Sequence, residues 1–130
     1  MIRVLIPQNK DFELYKDECK ALYESVQDKI HDPNSFEFIT NNTFFYLFEN
    51  DGVLIGGIYL FEDDNKLWLN GFAKRKMHKL CLECLYSSIS WFDCDIYAEA
   101  QNRASALSLL RAGFKRLEDN IFVKYLNKNL

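Results

Sequence analysis

Two runs dense in β-branched and aromatic residues, Thr43 to Phe48 and Val53 to Phe61, are separated by Glu49-Asn50-Asp51-Gly52. Asn and Asp tolerate the left-handed backbone of a tight turn and Gly prefers it, so the two runs are expected to fold back on each other as a β-hairpin. A second turn signal, Glu62-Asp63-Asp64-Asn65, passes the chain into Lys66 to Phe72, where Leu67-Trp68-Leu69 reads as a strand buried on both faces. Three consecutive strands make a meander. A sheet with apolar faces then needs helices to cover it.

The flanking segments supply them. Ile2 to Ile6 is a β-branched run stopped by Pro7 and Asn9, a first strand. From Asp11 to Ile30, Phe12, Tyr15, Cys19, Leu22, Tyr23, Val26 and Ile30 recur at helical spacing. His31-Asp32-Pro33-Asn34-Ser35 breaks that helix into a loop, because proline lacks a donor and disfavours the helical region for the residue before it. Beyond the meander, Met77, Leu80, Cys81, Cys84, Leu85, Ser88 and Trp91 or Phe92 form a second helical stripe. Asp95 to Ala98 is a short strand, Asn102 can cap a third helix by accepting from an amide near Ser105, and Gly113 suits the left-handed position past its end. Lys115 to Glu118 and Ile121 to Leu126 close as an antiparallel pair. The order β α β β β α β α β β predicts an α+β domain, residues 1–130, with a mixed, mostly antiparallel sheet and helices on both faces.

Composition narrows the class of partner. Hydrophobic residues are 48% and aromatics 15% of the 130, enough to bury a core, so disorder is not expected. The formal charge of −3 gives no global field for nucleic acid or an anionic membrane, so any anion site must be local. The longest apolar run, Val53 to Phe61, is too short to cross a bilayer, and the N-terminus lacks the apolar stretch of a signal peptide. The chain is therefore expected in the cytoplasm, as monomer or homodimer, with Cys19, Cys81, Cys84 and Cys94 as free thiols.

The order of elements, with Ile96-Tyr97-Ala98-Glu99, Asn102, Ala104, Ser105, Leu107 and Arg111-Ala112-Gly113-Phe114, resembles the GNAT (GCN5-related N-acetyltransferase) superfamily. The resemblance covers most of the chain and is weakest from Asp11 to Thr40. It implies acetyl transfer from acetyl-CoA, as co-substrate, to a small-molecule or protein amine, with no metal. It also implies a sheet that splays between its fourth and fifth strands, here Lys66 to Phe72 and Asp95 to Ala98. Asn70, Gly71 and Phe72 would then line the pantetheine arm, and Arg75, Lys76, His78, Lys79 and Leu80 the pyrophosphate, with Asn102 on the helix after the splay. Unpaired amides and the positive end of a helix dipole hold an anion there without any particular side chain.

Two positions depart from the family pattern. His78 and Leu80 stand where members usually have glycine or a small residue in the phosphate loop, and Leu109 stands where a Tyr commonly protonates the departing thiolate. Against the first departure, Lys74 to Lys79 is the most basic run in an acidic chain. Catalytic candidates are Glu99 or Glu62 as base, or a water held by Asn70, with Tyr97, Tyr59 or Ser108 as hydroxyl; each also reads as ordinary surface or core. The departures motivate a second class of function, a catalytically degenerate GNAT-like binding or assembly protein of the kind a bacteriophage encodes. Cys81-Leu82-Glu83-Cys84, with His78 one turn earlier, is a lone C-x-x-C on the apolar stripe and reads as core rather than metal site.

Overall fold

A computed structural model describes residues 1–126; residues 127–130 of the expected domain lie outside that range. The elements are β1 (Ile2–Leu5), a 3-10 turn (Lys10–Leu14), α1 (Lys16–Val26), α2 (Phe36–Asn42), β2 (Phe44–Asn50), β3 (Val53–Asp63), β4 (Lys66–Ala73), α3 (His78–Ser88) with a 3-10 extension (Ile89–Trp91), β5 (Ile96–Glu99), α4 (Arg103–Arg111), β6 (Lys115–Glu118) and β7 (Ile121–Lys124). The seven strands form one sheet in the order β1-β2-β3-β4-β5-β7-β6. Neighbours are antiparallel except β4 and β5, which are parallel because α3 crosses between them.

Local chemistry builds the meander as expected. Asp51 and Gly52 take φ of 49° and 87° between the paired residues Asn50 and Val53, and Asp64 and Asn65 take 52° and 61° between Asp63 and Lys66. Both are two-residue turns with positive φ at each central position, the form whose twist matches the flanking strands. At α4, Asn102 Oδ1 accepts from the Ser105 amide (2.9 Å) and Ser105 Oγ accepts from the Asn102 amide (3.0 Å), a reciprocal cap. Gly113, at φ 93°, ends the helix while the Phe114 amide returns to the Leu109 carbonyl (3.0 Å) and the Gly113 amide to that of Leu110 (3.1 Å).

Three expectations change. The long first helix is shorter than its apolar stripe: Asp11 to Leu14 lie in the 3-10 turn, and the chain leaves α1 after Val26, with His31 at φ 54°. Phe36–Asn42 is an additional helix, α2. Its Phe-Glu-Phe-Ile-Thr-Asn-Asn sequence has poor helix propensity, but Ser35 caps it by accepting from the Phe38 amide (3.1 Å) and Phe36, Ile39 and Thr40 are buried. Tertiary burial overrides propensity there. Lastly, β4 alternates rather than being buried on both faces: Leu67 and Leu69 are buried while Trp68 and Asn70 are half-buried.

The alternation follows from how the faces are covered. On one face Ile58, Leu60, Leu67, Leu69 and Ile96 pack with Cys84, Leu109 and Phe114 from the α3/α4 side. On the other, Phe45, Leu47, Tyr59 and Phe72 pack with Phe12, Cys19, Tyr23 and Phe36 from the α1/α2 side. The second cover reaches Phe72 but not Trp68 or Asn70. A cavity opens over that uncovered part of β4.

Candidate functional site

The parallel pairing of β4 with β5 is brief, running Leu67 with Ile96, Trp68 with Tyr97 and Leu69 with Ala98. Asn70 to Ala73 continue on the β3 side alone, opposite Tyr59 to Gly56, so the sheet splays past Leu69. A crevice beyond the carboxyl ends of parallel strands, where the chain diverges, is where ligands enter open sheets. The tight β3 partnership there requires Gly56, since a Cβ would run into the Phe72 carbonyl and come within 2.7 Å of the Ala73 Cα. Of the residues expected on this edge, Asn70 and Gly71 are half-buried, with the Gly71 amide donating to Asn70 Oδ1 (2.9 Å). The Phe72 ring is buried against Tyr23 and Phe45, so Phe72 meets the splay through its backbone only.

Past β4 the chain turns through Lys74 to Met77 into α3. The Met77 amide donates to the Lys74 carbonyl (2.9 Å) and the first helical bond is Cys81 to Met77 (2.9 Å). The amides of His78, Lys79 and Leu80 precede that bond, and no side chain caps them. Around them Arg75, Lys76, His78 and Lys79 are exposed. Among the described residues none of these four makes an ion pair, whereas Lys74 is drawn to Glu18 of α1 (2.5 Å). Two of the side chains that replace glycine leave the turn open: His78 is exposed to solvent, and Leu80 packs against the α3/α4-side core. Lys76 takes a φ of 73°, so this turn carries positive-φ strain on a lysine where glycine would be at ease.

The cavity over β4 has a volume of about 770 Å³ and is walled by the 30–34 loop, the end of α2, β3 and β4. Asp32, Tyr59, Glu62, Asn70, Glu99 and Gln101 are among its polar groups, and among the described residues no Lys or Arg lines it. A hydrogen-bond chain crosses it. Asn70 Nδ2 donates to Tyr59 Oη (3.0 Å), and Tyr59 Oη donates to Asp32 Oδ2 (2.5 Å). The other carboxylate oxygen, Oδ1, accepts from the Asn34 amide (2.8 Å) and from Asn34 Nδ2 (2.9 Å). Tyr23 Oη donates to the Asn34 carbonyl (2.6 Å), tying the loop to α1. Burial, and then the Asp32 carboxylate beside it, push the Tyr59 hydroxyl far above the ordinary tyrosine range; burial alone is the chief reason that Tyr23 is pushed up to about 12. Tyr59 therefore keeps its proton and remains the donor to Asp32.

The cavity thus brings together Asn70, Glu99, Glu62 and Tyr59. Glu62 and Glu99 are exposed at its rim. Tyr97 does not line it; its ring packs against Trp68 at a tilt of 42° (ring centroids 5.6 Å apart) under the Lys66 ammonium (5.3 Å). Ser108, half-buried on α4, and Asn102, engaged in its cap, also lie outside it. Leu109 is buried in the core, so its position offers no proton to a leaving group. The Cys81 thiol is pushed up to about 12 by burial, which keeps it a protonated, inert side chain. Among the described residues no group of three potential metal ligands forms. Asp32 and Asn34, the residues that organise the cavity, carry no sequence signal beyond their place in a proline-containing loop.

No family model matches the sequence, and no curated protein is similar to it at the sequence level. Solved structures are similar. Ribosomal-protein-S5-alanine acetyltransferase from Vibrio fischeri superposes with a TM-score of 0.71 at 13% identity, over 98% of this chain and 94% of that one. An acetyltransferase of the GNAT family from Streptococcus agalactiae gives 0.67 at 9% identity, over 98% and 96%. N-acetylglutamate synthase from Neisseria gonorrhoeae, solved with coenzyme A and N-acetyl-glutamate, gives 0.68 at 14% identity over 98% of this chain, which spans only 36% of that longer one. Backbone course is shared where side chains are not. A mixed sheet that splays at one parallel pair, crossed by α3 and closed by the capped α4, is the fold of the GNAT acetyltransferases, and this chain has it.

Proposed function

We propose that the chain is an N-acyltransferase that moves an acetyl group from acetyl-CoA to an amine, acting in the cytoplasm. The observation that carries this reading is the splay itself: a β4 edge without a β5 partner past Leu69 leads directly into an uncapped helix start ringed by Arg75, Lys76, His78 and Lys79, none of which makes an ion pair among the described residues. A polyamide arm can pair with such an edge, and a pyrophosphate suits the His78, Lys79 and Leu80 amides with Arg75, Lys76 and Lys79 around them. The turn fits that group because the Leu80 side chain is in the core and that of His78 in solvent.

In this reading a neutral amine attacks the thioester carbonyl carbon. The C–N bond forms, the C–S bond breaks with its electron pair on sulfur, and the nitrogen gives its extra proton to water. A thiolate leaves readily near neutral pH, since thiols titrate at about 8.5. Holding the reactants in place can then supply most of the acceleration, and the absence of a hydroxyl at Leu109 is tolerable.

Calorimetric titration with acetyl-CoA and with CoA tests the reading. Binding that Arg75→Glu or Lys79→Glu weakens about tenfold or more supports it, the size expected when a charge-assisted hydrogen bond to phosphate is lost. Absence of binding at millimolar ligand removes it and leaves the binding or assembly role.

A further inference from the structure

We infer that Asp32 is the acceptor anchor of this protein, and that it selects an amine carrying a second ammonium group, a diamine or polyamine. The role of the second nitrogen rests on the acyl-transfer reading above; the anchoring does not.

The carboxylate is built to hold a cation in one place. Three donors fix it, Tyr59 Oη on Oδ2 and the two Asn34 nitrogens on Oδ1, and a carboxylate offers about four acceptor directions, so one on Oδ2 stays open. Asp32 lines the cavity, half-buried, where an ion pair is screened less than at the surface. The remaining ionisable groups on the cavity wall are Glu62 and Glu99 at the rim and His31 in the same loop. Among the described residues no Lys or Arg reaches the wall to compete for the site.

Such a carboxylate cannot also activate the nitrogen it holds. An alkylamine is a much stronger base than a carboxylate, so the proton stays on the ammonium held there and that nitrogen does not attack. The reacting nitrogen must be a different one. Asp32 lies two hydrogen bonds from Asn70, at the start of the free β4 edge, so a short aliphatic spacer carries a second, neutral nitrogen from the anchor to the splay. Tyr59 and Asn34 are positioning residues: they set where the charge sits and touch no reactant.

Putrescine and 1,4-butanediol are the binding probes, equal in carbon count and differing in charge. Calorimetry without acetyl-CoA is expected to show putrescine bound about ten- to hundredfold more tightly than butanediol, the span of a hydrogen bond to a charged group. In Asp32→Asn, which keeps shape and removes charge, the preference is expected to collapse to near unity. Glu118→Gln on β6, an exposed carboxylate remote from the cavity, should retain it. Should Asp32→Asn fail to fold, the Asn34 amide resonance of the wild type decides, because that amide donates to Asp32: putrescine is expected to shift it and butanediol to leave it. With acetyl-CoA present, butylamine, whose one nitrogen Asp32 holds, is expected to release thiol at least about tenfold more slowly than putrescine. Equal affinity for putrescine and butanediol, a preference surviving in Asp32→Asn, an unmoved Asn34 amide, or thiol release as fast with butylamine as with putrescine overturns the inference. If putrescine binds through Asp32 but no thiol is released from acetyl-CoA, the transferase reading fails and the anchor stands.

Discussion

Replacing Tyr59 with Phe tests the architecture of the cavity without any assumption about the reaction. The ring is fully buried, stacked on Phe45 at 6.2 Å and on Phe61 at 6.3 Å between centroids, and Phe preserves those contacts. Only the hydroxyl is lost. Its bond to the Asp32 carboxylate, at 2.5 Å, is the charged kind that contributes about 1.5–3 kcal/mol. Asn70 Nδ2 also loses its Tyr59 acceptor and keeps only the Ile30 carbonyl at 3.5 Å. A net loss of about 2 kcal/mol follows, visible in urea denaturation and as a fall in Tm of roughly 6–10 °C for a chain of this size.

The sign of the pH dependence is a second readout. Because the folded hydroxyl titrates above its unfolded value, its contribution is complete below about pH 10 and is lost as pH rises further, so the wild type should lose stability on the alkaline side faster than Tyr59→Phe. The loss should also shrink when Asp32→Asn is already present, with a coupling of about 1 kcal/mol or more in the double-mutant cycle. A cost below about 0.5 kcal/mol, or strict additivity of the two substitutions, would refute the claim that this chain of bonds holds the 30–34 loop.

Two further outcomes follow from other parts of the fold. Leu109→Ala, which empties a buried position beneath the Gly113-Phe114 helix stop, should cost about 2–5 kcal/mol in chemical denaturation, showing that this position serves the core. Glu49, 2% exposed, is held below the ordinary carboxylate range first by the Arg3 guanidinium, then by the Gly52 amide and the Tyr15 hydroxyl. Its stabilisation is present above about pH 4.3 and lost as pH falls through the depressed folded value; Glu49→Gln should cost about 1–3 kcal/mol at neutral pH, toward the low end because Arg3 is half-exposed, and flatten that acid loss in pH-dependent denaturation.

What was legible in the residues was whatever a few neighbours decide. The Asp51-Gly52 and Asp64-Asn65 turns, the Asn102 and Ser105 cap and the Gly113 stop each join groups within five residues, and each stands where its local chemistry puts it. The splay at Asn70 was anticipated by resemblance, since nothing within β4 itself marks where β5 leaves. The second helix, Phe36 to Asn42, was illegible because its own sequence argues against a helix and only packing against Tyr23 and Phe45 makes one.

Asp32 shows the same division most clearly. By itself the sequence determined that residues 31–35 form a loop, because Pro33 breaks the helix before it, and that Tyr59 sits on a strand. Only the tertiary structure decided that these two meet, 27 positions apart, over a stretch of β4 that neither α1 nor α2 covers. Backbone propensity acts over one turn of chain and is written in the residues of that turn; a cavity is the space left where packed elements end, and its shape belongs to all of them at once.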